Sequence, residues 1–75
     1  MKNFAEHISL NPEIRFGKPC IKGTRIAISD ILQWLASGQS FDEILQDYPL
    51  LREDDIKAAL AFAANRESFI KMVAA

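Results

Sequence analysis

The chain has 75 residues, 49% of them hydrophobic and 25% charged, with a formal net charge of −1. That length allows one domain that buries only about 60% of its unfolded surface, so self-association, a homodimer, is expected to complete the core. The composition excludes a disordered chain, a membrane span of ~20 apolar residues and a strongly basic, non-specific nucleic-acid binder.

Cys20 is the only cysteine. No internal disulfide can form, and a reducing compartment is indicated. The stretch MKNFAEHISLNP lacks the apolar centre of a signal peptide, so a cytoplasmic location is expected.

HISL reads as a short strand, stopped by the Asn11-Pro12 turn signal. PCI and RIAI flank KGT, which predicts a small hairpin with Gly17 and Gly23 supplying positive φ at the turns. From Ser29 the apolar period changes from two to about 3.6. Ser29 is the expected N-cap of a first helix, with Asp30 in its first turn. Ile31, Leu32, Trp34 and Leu35 form its apolar side, and Gly38 is its C′ stop.

Ser40 and Glu43 then offer a capping box for a second helix with Phe41, Ile44, Leu45 and Tyr48 on one face. Pro49 ends it. A third helix starts near Glu53, with Ile56, Ala59, Leu60 and Ala63 on one arc and Phe62, Phe69 and Val73 on the next.

The expected architecture is mainly α: a homeodomain-like or winged-helix-like three-helix domain with a helix-turn-helix, preceded by a small N-terminal β element. One domain, 1–75, divides into a basic β-hairpin region (1–28), a three-helix core (29–65) and a C-terminal helical extension (66–75).

Charge is unevenly placed. Residues 1–28 carry Lys2, Arg15, Lys18, Lys22 and Arg25 against Glu6 and Glu13, whereas residues 29–51 carry only Asp30, Asp42, Glu43 and Asp47. The basic third is the electrostatic footprint for an anionic partner, and a dimer presents it twice.

Two elements are candidates for DNA contact. The hairpin cations Lys18, Lys22 and Arg25 suit a strand pair in a groove, although edge-strand lysines also serve to discourage aggregation. Arg25 and Thr24 each have two readings, a DNA contact or a structural residue, Thr24 then bonding backbone in the turn. Alternatively, the start of helix three enters the groove with Arg52 and Lys57, but Glu53, Asp54 and Asp55 would then face phosphates. Phe62, Arg66, Phe69, Ile70 and Val73 form a candidate partner-binding face, for a partner's groove or for the chain's own dimer.

Reactive chemistry is not expected. One His and one Cys cannot assemble a metal site or an activated nucleophile, so neither enzyme activity nor a cofactor is expected. Cys20 reads as a small core hydrophobe, and His7 as a surface or strand-edge residue.

Four segments together, GKPCIKGTRIAI, LASGQSFDEIL, DYPLL and EDDIKAALAFAA, resemble the family known as domain of unknown function four-three-three, the VapB-like antitoxins. The resemblance spans about residues 8 to 64. It implies a bacterial antitoxin of a type II toxin–antitoxin module, with a PIN-like ribonuclease toxin encoded nearby and its own promoter DNA as partners. A stand-alone helix-turn-helix regulator and a structural homodimeric adaptor are the alternatives.

Lys18, Lys22, Thr24 and Arg25 fall in the family's most recognisable motif. Phe16 stands where the family often has a second glycine, Ala27 where it often has proline, and Arg52 where a threonine commonly caps helix three.

Overall fold

The structure is a computed structural model that describes residues 4–74, with side chains described for residues 5–65. It contains three helices and a small two-stranded sheet, as the sequence predicts. A 3-10 turn, Phe4–His7, leads into strand β1 (Ile8–Ser9), which pairs antiparallel with β2 (Cys20–Ile21). Ile8 lies opposite Ile21, and Ser9 opposite Cys20. Helices α1 (Ile28–Ala36), α2 (Phe41–Asp47) and α3 (Glu53–Ala74) follow.

The expected hairpin is only partly formed. β2 takes β1 as its partner, and the return segment contributes a single bridge, Cys20 to Ala27. Two further bonds close the loop: the Ile21 N–H donates to the Ile26 carbonyl at 2.9 Å, and the Ile28 N–H to the Pro19 carbonyl at 2.8 Å. α1 begins at Ile28, too early for the return segment to run on as a strand.

The first helix is not capped by Ser29. The cap position is Ala27, whose side chain has no acceptor, and the Asp30 carboxylate takes over by accepting the Ala27 N–H at 3.1 Å. The helix ends as the sequence predicts. Gly38, at φ +102, donates to the Leu35 carbonyl, and Gln39 donates to that of Trp34. That pair of bonds is a Schellman stop, which needs a left-handed residue and hence glycine. The Ser40–Glu43 box is also formed, with reciprocal bonds of 2.9 and 3.1 Å.

The core is built from Ile21, Ile28, Ile31, Ile44, Leu51, Ile56 and Ala59, which β2, the three helices and the link before α3 supply. Trp34 stacks on Tyr48 with centroids 4.3 Å apart and 11° between planes, which fixes the end of α2 against α1. Leu60 departs from the predicted inward arc of α3. It is exposed, while Ala58 is fully buried, so small residues and not Leu60 let the helix approach its neighbours. The side chains of Arg66, Phe69, Ile70 and Val73 lie outside the described residues.

Candidate functional site

The basic loop between β1 and α1 is anchored from beneath. Cys20, Ile21, Ala27 and Ile28 are all buried, and between them Lys22 and Arg25 are exposed. Thr24 sets the turn. Its hydroxyl donates to the Ile21 carbonyl at 2.9 Å and accepts the Ile26 N–H at 3.0 Å. Both bonds are those expected of a turn residue.

A second anchor is Arg15. Its guanidinium donates to the Arg25 carbonyl at 2.9 Å and to the Asp30 carboxylate at 3.1 Å. One side chain therefore ties the segment before β2 to the turn after it and to the first turn of α1. Asp30 is shared between Arg15 and the helix cap, so loop and helix start are positioned together.

His7 is not a free surface residue. It is half-buried, and its Nδ1 lies 2.8 Å from Asp55 Oδ1. The carboxylate can only accept, so His7 donates from Nδ1. The other oxygen, Oδ2, accepts the Arg52 N–H at 2.9 Å. α3 thus starts without a capping side chain at Arg52 but with a bond back from its third residue. The His7 carbonyl also accepts the Lys22 N–H at 2.8 Å. His7 links the sheet to α3, across 48 positions of sequence.

This contact builds a concavity of about 350 Å³ whose walls include Glu6, His7, Lys22, Leu50, Arg52 and Asp55. It brings Lys22 and Arg52 to one surface depression. Lys18 lines a different one, of about 440 Å³, with Pro19, Ile28, Leu32 and Phe62. Lys57 is exposed beside Glu53, 3.9 Å away, one turn along α3. Glu53 and Asp54 are exposed as well. Phe62 is half-buried and packs against the core.

Among the described residues, Glu43 is the group whose ionisation is clearly displaced. The Ser40 backbone N–H, and then its hydroxyl, hold the carboxyl below its ordinary value. Among the described residues no cluster of three or more His, Cys, Asp or Glu could hold a metal ion. No described helix is long and apolar enough to cross a membrane.

Positive φ at Gly17 is as the sequence predicts, but sequence reasoning missed the His7–Asp55 contact and the extension of the left-handed turn back to Arg15 and Phe16. The first joins residues too far apart for any local pattern. The second had one signal, the departure at Phe16.

The fold and this surface define a small three-helix domain with an N-terminal two-stranded sheet and a basic loop. The chain belongs to the protein family of unknown function DUF433, whose profile matches residues 8–63. It is 31% identical over 58 residues to the uncharacterized protein y4eO of Sinorhizobium fredii, covering 77% of this chain and 26% of that protein. The chain thus spans about a quarter of the length of that relative. The crystal structure of a DUF433 member from Anabaena variabilis is also similar, with a TM-score of 0.75 at 27% identity. The match covers 92% of this chain and 69% of that one.

Proposed function

We propose that this protein is a DNA-binding antitoxin of a type II toxin–antitoxin module. In this reading it is a homodimer that neutralises a PIN-like ribonuclease toxin and represses its own promoter. The observation that carries the DNA half is the basic loop: exposed Lys18, Lys22 and Arg25 on a backbone pinned by four buried residues and by Arg15. Cations held on a fixed frame lose less freedom on meeting phosphates than cations on a loose tail.

A gel-shift titration against the DNA upstream of the gene tests it. Lys22→Ala and Arg25→Ala are expected to weaken binding, each lowering the slope of log K against log salt by about 0.9 for every phosphate no longer neutralised. Absence of binding at low salt would remove this half of the reading. Phe62 of the expected partner face packs against the core, so the toxin half is supported by the apolar spacing of Phe69, Ile70 and Val73 along α3. Deleting residues 66–75 is expected to abolish co-purification with a toxin encoded beside the gene, and undiminished capture would refute that surface.

A homodimeric adaptor without DNA affinity is the second reading. The exposed acids Glu53 and Asp54 favour it, since they would repel phosphate at the start of α3.

A further inference from the structure

Arg15, Phe16 and Gly17 take φ values of 51, 59 and 82° in succession. The turn is closed by the Gly17 N–H on the Ile14 carbonyl at 3.1 Å and by the Lys18 N–H on the Arg15 carbonyl at 3.2 Å. Gly17 adopts this region freely, but a bulky residue does not. Arg15 has evident compensation in its bonds to Asp30 and to the Arg25 carbonyl.

Phe16 has none within the fold. It is 103% exposed, so the side chain held in an unfavourable backbone region buries nothing. A single exposed apolar residue is ordinary on a protein surface. One that is both strained and fully exposed is a presented group, and such strain concentrates at functional sites.

Its surroundings indicate what it is presented to. Between residues 13 and 25 the chain carries Arg15, Lys18, Lys22 and Arg25, with Glu13 the only acid. Arg25 is exposed, and its backbone is bonded to the residue adjoining Phe16, while Lys18 follows two positions on. An exposed apolar aromatic in a segment rich in cations complements a nucleic acid, which offers phosphates outside and base faces within.

We infer that Phe16 is a wedge that stacks on or between DNA bases while Lys18 and Arg25 engage the flanking phosphates. This rests on the DNA-binding reading above and adds a contact to it: an aromatic determinant that counter-ion release does not report.

The test is a set of gel-shift salt titrations with the upstream duplex, on the wild type, Phe16→Gly, Phe16→Trp and Phe16→Asn. Removing one stacking partner predicts binding about fivefold to a hundredfold weaker for Phe16→Gly, with the salt slope unchanged because every cation remains. Phe16→Trp retains binding. Phe16→Gly melts no lower than the wild type, since relief of the left-handed strain offsets the added freedom of the unfolded chain. Phe16→Asn, which also tolerates this region, gives the same weakening in a second background.

Wild-type binding with undiminished binding by Phe16→Gly overturns the inference alone. So does a Phe16→Gly protein that keeps its DNA affinity but no longer captures the toxin, which would make the residue a protein contact. If the wild type binds no duplex at low salt, the DNA reading itself falls and takes the wedge with it.

Discussion

Asp55→Ala tests the joint between the N-terminal segment and α3. The carboxylate makes two bonds, 2.9 Å from the Arg52 N–H and 2.8 Å from His7 Nδ1. Losing a helix N-cap interaction costs about 1 kcal/mol. A hydrogen bond to a charged group contributes about 1.5–3 kcal/mol, and the His7 side chain is 30% exposed, so the lower figure of about 1.5 applies. The sum is about 2.5 kcal/mol, and at about 4–8 °C per kcal/mol for a domain of this size the midpoint drops by roughly 10–20 °C. Thermal melts followed by far-UV circular dichroism at constant protein concentration measure it. His7→Ala removes only the second bond and costs about 1.5 kcal/mol. Asp55→Asn keeps one carbonyl acceptor, which can serve Arg52 or His7 but not both at full strength, so it falls between. In the double-mutant cycle, His7→Ala and Asp55→Ala are coupled by about 1 kcal/mol or more. Coupling within about 0.3 kcal/mol of zero would show that the contact contributes nothing, and a midpoint shift below about 4 °C for Asp55→Ala would refute the capping account as well.

Two further outcomes follow from the same geometry. Ile44→Ala empties a fully buried site in α2 and costs about 2–5 kcal/mol. Against a total of about 4–11 kcal/mol for a chain of this length, that is a large share of the stability, read as a lowered urea midpoint at 25 and 37 °C. Glu43 carries a pH dependence of known sign. Its carboxyl is held below its ordinary value by Ser40, so its stabilising contribution is complete above the unfolded-state value and disappears as pH falls through the lowered folded-state value. Glu43→Gln is expected to flatten the acid limb of the stability–pH curve while changing little at neutral pH, and an unaltered acid limb would rule the cap out as its source.

The features legible in the sequence are those whose physics is local. The Schellman stop at Gly38 and the Ser40–Glu43 box each lie within one or two helical turns, and both form as the residue types require. The end of α2 before Pro49 is of the same kind. The start of α1 differs from expectation because Ser29 has the better capping side chain, whereas Asp30 bonds backward and shifts the start to Ile28. Hydrophobicity alone predicts Leu60 inward, but the fully buried positions there are Ala58 and Ala59 and Leu60 is exposed, so the interior face of α3 is set by small residues. His7 has no local signal at all. Its partner is on another element, and only the fold brings the imidazole to a helix start that lacks a capping side chain.

That helix start also bears on which element would meet DNA in the proposed reading. A helix that docks by its N-terminal turn must present donors or cations to phosphate. α3 begins with Glu53, Asp54 and Asp55, and its nearest cation along the helix, Lys57, lies beside Glu53. These acids complement the helix dipole, and Asp55 supplies the cap that Arg52 cannot. Replacing them to suit a phosphate would cost the helix its start. No such conflict exists in the basic loop, where the carboxylate of α1, Asp30, is committed to Arg15 and to the Ala27 N–H. Paired with each other, Arg15 and Asp30 cancel, and the outward field of the loop is left to Lys18, Lys22 and Arg25 against Glu13. For the proposed DNA-binding reading, electrostatics therefore favours the loop over α3 as the contact face, with Arg52, which lines the same depression as Lys22, as its auxiliary.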